Sequence, residues 1–226
     1  MNHAPPHHHS HDVGNVGLLG DDLPPWDQGI VDPDAWFSSD CQGRPLDLEI
    51  GSGKGTFLVR AAAMDPDTNF IGIEYARAYW RHAADRCRRR GLENVRLIRT
   101  EADFFLRHYM PDHRVRHVHI YFPDPWPKSR HHKRRLIQEP FLRTLHRVTD
   151  HGSLVRIVTD HAGYFAWIQD HVRTVGDLFE TQPWVAFDSG APDEHAGTNF
   201  ERKYRKEARP IHAVLLARRT GEGSGK

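Results

Sequence analysis

From residue 45 onward the hydrophobic pattern switches between strand-like and helix-like spacing five times, and this repeated switch restricts the fold more than any other feature. "PLDLEIG" (45–51) alternates apolar residues and stops at a glycine, as a buried strand does. "TFLVRAAAM" (56–64) follows with helical spacing. "NFIGIE" (69–74) and "ARAYWRHAADRCRRRG" (76–91) repeat the pair, the second closed by Gly91 with arginines where the helix dipole favours cations. "NVRLIRT" (94–100) with "ADFFLRHYM" (102–110) is the third pair. "RHVHIYF" (116–122) with "RRLIQEPFLRTLHRV" (134–148) is the fourth, its helix interrupted or offset at Pro140. "GSLVRIVTD" (152–160) with "AGYFAWIQDHVRTV" (162–175) is the fifth, and "FETQPWVAFD" (179–188) and "PIHAVLLARR" (210–219) read as two late strands. Such repeats build an open α/β sheet of parallel strands, because parallel neighbours need a crossover connection.

Residues 44–220 are therefore read as one domain, with 221–226 a flexible C-terminus. Residues 1–43 are rich in Pro, Gly, Asp and His without sustained periodicity, and are read as a disordered tail with a short docking segment around Trp26 or Trp36–Phe37. They contain seven Asp and no Lys, Arg or Glu, so a chain of net charge +1 carries +8 on the remainder. A basic globular part calls for an anionic partner. His3, His7, His8, His9 and His11 cluster in the tail without a scaffold, so no metal is assigned. Cys41 and Cys87 show no CxxC or zinc spacing, which fits a reducing cytoplasm. There is no signal-peptide pattern, and no apolar run approaches the ~20 residues that span a bilayer.

Ligands of open α/β sheets bind at the carboxyl ends of the strands. The first such end is "EIGSGKG" (49–55). Its glycines, Gly51, Gly53 and Gly55, miss the G-x-G-x-x-G of dinucleotide sites, and the P-loop pattern fails at Leu48 and Gly55. Glu49 favours a third ligand, S-adenosylmethionine. A carboxylate there would repel a pyrophosphate but suits a ligand carrying an ammonium and a sulfonium. Glu74 ends the second strand, where an acid accepts from both ribose hydroxyls. Glu101 follows the third strand near the expected adenine edge, with Asp103 its nearest competitor.

The fourth strand runs into "YFPDPWPKSRHHKRR" (121–135). Pro123, Pro125 and Pro127 stiffen this turn and hold Asp124 and Trp126 in place. Five Lys/Arg and two His follow within eight residues. With "EIGSGKG", "IGIE", "TD" (159–160) and "TNFE" (198–201), this stretch makes residues 45–218 resemble the bacterial tRNA (guanine-N7)-methyltransferases. The resemblance implies a class I, Rossmann-like methyltransferase sheet, mostly parallel with a late antiparallel strand. It implies S-adenosylmethionine as methyl donor and the variable-loop guanosine of tRNA, position 46, as acceptor. Glu49, Gly51, Gly53, Glu74, Glu101 and Asp124 fall on cofactor positions, and Asp124 is also the implied catalytic residue. Lys128, Asp160, Thr198, Asn199, Phe200 and Glu201 fall on substrate positions. Arg130, His131, His132, Lys133, Arg134 and Arg135 overlap the RNA-contacting stretch. The family usually has Asp or Asn where Glu101 stands, and often a basic N-terminal segment where this chain is acidic.

The residues suit that chemistry. Guanine N7 has an in-plane lone pair and no proton, so alignment rather than a general base does most of the work. Asp124 can accept from guanine N1–H and its amino group and stabilise positive charge on the purine. Asp160 and Glu201 are candidate second acceptors, oriented by Thr198, with Asp160 also suited to capping the helix near Ala162. Two other readings stay open: an exocyclic-amino methyltransferase, since "PDPW" is one proline short of [DN]PP[YFW], and a non-catalytic RNA-binding protein on the same scaffold.

Overall fold

Leu46–Ile50 (β2) is buried at all five positions and lies at the centre of the sheet. The computed structural model describes residues 11–187 and 194–220. In chain order the other elements are β1 (Gly17–Leu19), α1 (Thr56–Met64), β3 (Asn69–Ile73), α2 (Arg77–Arg88), β4 (Val95–Arg99), α3 (Ala102–His108), β5 (Val115–Tyr121), α4 (Glu139–Val148), β6 (Thr149–Thr159), α5 (Ala162–Thr174), β7 (Phe179–Gln182), α6 (Asn199–Lys206) and β8 (His212–Arg218), with β1 and β2 preceding α1. The sheet order is β1-β4-β3-β2-β5-β6-β8-β7. Pairings from β1 to β6 are parallel, and β8 runs antiparallel to both β6 and β7. The order reverses between β3 and β5, so β2 marks the switch point where such sheets open a crevice. Apolar side chains on the two faces make two core clusters, one under α3, α4 and α5 and one under α1 and α2.

The N-terminal segment departs from the sequence expectation. Residues 11–43 are not a detached tail. Gly17–Leu19 adds an edge strand to β4, and Val16, Phe37 and Cys41 are buried. Backbone and side chains tie the segment down: Val31 N–H donates to the Tyr109 carbonyl, Arg96 to Trp36 O at 2.6 Å, Asn69 to Cys41 O at 2.7 Å, and Arg114 pairs with Asp34. Short 3-10 turns at 20–22, 26–28, 33–36 and 39–41 carry the chain between these anchors. Isolated anchors leave no period to read. Residues 1–10 and 221–226, with His3, His7, His8 and His9, lie outside the described residues.

Two further elements differ. The fourth helix starts only at Glu139, with Pro140 in its first turn where a missing N–H costs nothing, while 129–134 forms a 3-10 helix. Helix α6 was not legible as apolar periodicity, yet Thr198 and Glu201 make the Ser/Thr-x-x-Glu capping pattern at its start. Both cysteines are free and buried, and among the described residues no group of His, Cys, Asp or Glu is arranged to hold a metal. No helix among those residues is long and apolar enough to cross a membrane.

One sheet face carries a buried polar row. Asp47 receives both an Nε and an Nη hydrogen bond from Arg116, and His119 Nδ1 lies 2.9 Å from the Tyr121 hydroxyl. Burial alone would raise Asp47, but Arg116 and His119 hold it at about 2. Burial pushes His117 down to about 4, and its Nδ1 accepts the Leu154 N–H.

Two outcomes follow from this packing. Deleting residues 1–43 removes the buried side chains of Val16, Pro33, Phe37 and Cys41, of which Val16 and Phe37 alone contribute about 1.5–3 kcal/mol each, from a domain whose total is about 5–15 kcal/mol. Thermal denaturation should show a large loss of cooperativity or no folded protein; an unchanged melt would mean the segment is dispensable. As for pH, the unfolded chain takes a proton on His117 near 6.5 and the folded chain only near 4. Stability therefore falls as pH drops through that window. His117→Gln should lower the slope of unfolding free energy against pH by close to one proton, read from urea titrations across it.

Candidate active site

The carboxyl ends of β2, β3 and β5 emerge side by side and carry the residues that matter. Gly51 turns the chain at φ 76°, and the Gly51 N–H donates to the Ile73 carbonyl at 2.8 Å, tying the loop to β3. A Cβ on Gly51 would meet nothing within 4 Å, so this backbone faces open space. Gly55 is tight instead: a Cβ there would come within 2.9 Å of the Ala83 Cβ, which lets α1 start close against α2. Glu74 holds the two loops together. One oxygen accepts from Gly53 N–H and the other from Ala76 N–H, each at 2.8 Å.

Glu49 is 3% exposed, and its Oε2 has no hydrogen-bond partner. Burial, and then the charge of Glu74, push its carboxyl well above the usual range. It lines a pocket of about 210 Å³ together with Lys54, Thr198, Asn199, Phe200 and Lys203. A buried carboxyl with one oxygen unmet, facing a pocket, is a site for a cationic group. A larger cleft of about 780 Å³ adjoins it, sharing Gly51, Gly53, Tyr79, Tyr121 and Phe200 as walls. Its lining includes Glu74, Glu101, Asp103, Asp124, Lys133 and Arg134.

Asp124 is exposed on the cleft and makes no hydrogen bond or ion pair with the described residues. Phe122 and Trp126 on either side have φ of 54° and 42°, a region that non-glycine residues enter at a cost of about 1–3 kcal/mol. Trp126 is covered by Arg134, whose guanidinium lies 5.0 Å from the ring, and by the edge of His131. Lys128, Arg130, Lys133 and Arg134 are exposed. Arg135 is not. It is buried against Tyr164 and Trp167, and reaches the cleft only as part of its wall. His132 is half-buried against Trp167.

Other implied site residues have local duties. Glu101 caps α3, its two oxygens accepting from Asp103 and Phe104 N–H. Asp103 pairs with Arg107 through one oxygen and leaves the other, buried, without a partner. Between the two acids, Asp103 thus keeps the free acceptor. Asp160 does not cap α5; His161 does, accepting from Tyr164 N–H, and Asp160 pairs with Arg209 at 2.7 Å. Glu201 is fully buried. Burial would raise it, but N–H groups of His195, Ala196 and Gly197 and the charge of Arg205 hold it below the usual range. With Thr198 accepting its backbone N–H, Glu201 fixes the 195–197 turn before α6, whose first residues Asn199 and Phe200 line the pocket. Tyr79, Tyr121 and Lys203 also line the site and were not singled out from sequence; only the strand-end position of Tyr121 signals it.

Comparison with known proteins fits this geometry. A family described as putative methyltransferase matches residues 43–214. A tRNA (guanine-N(7)-)-methyltransferase of Halorhodospira halophila is 34% identical over 197 residues, 87% of this chain and 83% of the relative. One of Corynebacterium diphtheriae is 37% identical over 206 residues, 91% of this chain and 78% of the relative. Among solved structures, the antibiotic-resistance methyltransferase Kmr superposes with a TM-score of 0.56 at 15% identity, over 85% of this chain and 96% of that one. The aminoglycoside resistance methyltransferase NpmB1 gives 0.54 at 16%, over 78% and 88%. These two share the fold. Taken with the glycine loop, the strand-end acids and the basic turn, the sequence matches mean that this chain belongs to the tRNA (guanine-N7)-methyltransferase family.

Proposed function

We propose that the chain transfers a methyl group from S-adenosylmethionine to N7 of a guanosine in tRNA, the variable-loop guanosine at position 46, and that it does so in the cytoplasm. The observation that carries this is the pairing of an orphaned, buried Glu49 carboxylate beside an open glycine turn with an unpartnered Asp124 ahead of an exposed basic run. When bound, S-adenosylmethionine supplies an electrophilic methyl group on a sulfonium. Glu49 is the acid for its ammonium, Glu74 the acceptor for ribose hydroxyls, and Asp103 or Glu101 the acceptor for the adenine amino group. The residues present fit that ligand: the orphaned oxygen wants a cation, and the Gly51 backbone beside it faces open space.

Asp124 accepts from guanine N1–H and the amino group, a donor pair that adenine lacks. Its fixed charge also stabilises the positive charge that builds on the purine. No proton is removed from N7, which agrees with an acid that needs no partner to relay one. Lys128, Arg130, Lys133 and Arg134 neutralise backbone phosphate and bring the base to the cleft. Phe200, 46% exposed at the junction of pocket and cleft, offers a ring to stack on.

The direct experiment is transfer of labelled methyl to bulk tRNA followed by nucleoside analysis, with 7-methylguanosine the expected product; label on an exocyclic amino group would refute the N7 assignment. Asp124→Ala should lower turnover by roughly 100-fold or more while S-adenosylmethionine affinity changes far less. Near-wild-type turnover would remove Asp124 from the chemistry. The raised Glu49 carboxyl adds a second expectation. A cationic ligand favours the ionised form, so binding releases a proton and tightens as pH rises toward the raised value. Calorimetry at pH values above the ordinary glutamate range, in buffers of different ionisation enthalpy, should show that release, and Glu49→Gln should abolish it.

A further inference from the structure

The turn that carries Asp124 is strained on both sides and lies on the surface, so something outside it must hold it. Phe122 and Trp126 both sit at positive φ, and Asp124 itself forms no bond with the described residues that would fix it. The prolines restrict φ but supply no donor. The one side-chain bond to the turn's own backbone among the described residues comes from Arg135, whose Nε donates to the Pro125 carbonyl at 2.9 Å.

Arg135 is itself held by α5. Its guanidinium lies 5.1 Å from the ring of Tyr164 and 5.1 Å from that of Trp167. The same two rings bind the neighbouring backbone: Ile137 N–H donates to the Tyr164 hydroxyl at 3.2 Å, and the Trp167 indole N–H donates to the Ile137 carbonyl at 2.8 Å. Arg135 is 4% exposed and pairs with no carboxylate among the described residues. Taking a guanidinium out of water without a counter-charge is costly, and two π faces plus a carbonyl offset only part of that. A solvated basic face would not bury it. Its immediate neighbours Lys133 and Arg134 remain exposed.

We propose that Arg135 is a positioning residue for the methyl-transfer reaction: α5 grips its guanidinium, and its Nε clamps the Pro125 carbonyl so that Asp124 keeps its aim into the cleft. The basic run is thus divided by function. Arg130, Lys133 and Arg134 face phosphate, and Arg135 faces the chain's own backbone. The inference rests on the reading of Asp124 as the guanine-facing acid.

The test compares Arg135→Gln and Arg135→Lys with Arg134→Gln, measuring kcat and KM for tRNA, S-adenosylmethionine binding, and tRNA affinity at several salt concentrations. Lysine keeps the charge but loses the planar fork and the Nε donor. Both Arg135 variants should bind S-adenosylmethionine, keep tRNA affinity and its salt slope, and lose about tenfold or more in kcat, since small misplacements of a reacting group are expensive. Arg134→Gln should instead weaken tRNA binding and make the slope of log affinity against log salt shallower by roughly 0.7–0.9. The clamp is overturned if Arg135→Gln flattens the salt slope as Arg134→Gln does, or if folded Arg135→Lys turns over like wild type. It is equally overturned if neither Arg135 variant binds S-adenosylmethionine, which would assign the residue to the fold. Absence of transfer to tRNA by the wild-type chain would instead bring down the functional reading beneath it.

Discussion

Four isoleucines lie in one row across the middle of the sheet, Ile98 of β4, Ile73 of β3, Ile50 of β2 and Ile120 of β5, each paired in register with the next. All are buried. Because the pairings are parallel, the residues that follow this row leave the sheet at one level and on one edge. Gly51, Glu74, Glu101 and Asp124 are far apart in sequence and become neighbours only through that register. A one-residue slip of any strand would turn its side chains to the other face and move its last residue by about 3.3 Å. The apolar row is therefore what makes the site a site.

At that level the strand-end acids are in different states, set by surroundings rather than by residue type. Glu49 is buried with one oxygen unmet. Glu74 accepts from two backbone donors that stitch the loops after β2 and β3. Asp124 is exposed and unbonded on a strained turn. Glu201, from outside the strand ends, is buried and satisfied by three N–H groups, and so anchors a loop rather than reaching into the cleft. The unmet and the unbonded acids have the most capacity to spare for a ligand, while each Glu74 oxygen keeps one further lone pair toward the cleft.

The sequence was readable where a period or a tight pattern exists. β2 to β6 and α1 to α5 follow from alternation and helical spacing, and the glycine loop and the Pro-Asp-Pro turn from local chemistry. It was not readable where contact is made by isolated residues. Phe37 and Cys41 anchor residues 11–43 without any repeat, so composition alone made that segment look detached. Arg135 sits in a run of cations, and nothing in the run distinguishes the one that faces Tyr164 and Trp167. His161 rather than Asp160 caps α5 because one residue of offset decides which side chain meets the Tyr164 N–H. Such choices are made by tertiary packing.

The acidic N-terminal segment and the basic turn coexist because the fold separates them. Asp34 pairs with Arg114, just before β5 begins, and the basic turn lies beyond its other end; seven residues of strand span roughly 23 Å. Asp12 pairs with Arg88 near the end of α2. Asp21 and Asp22 follow β1 at the same edge as the cleft, but β1 is four strand spacings from β5, roughly 19 Å. Both separations exceed about two Debye lengths at physiological salt, where the screening length is about 8 Å. Asp12 and Asp34 are thus paired away from the turn, and Asp21 and Asp22 are screened from it. The exposed cations at 128–134 are set apart from these N-terminal Asp residues, and the acids that stand near them are those of the cleft itself, Asp124 foremost.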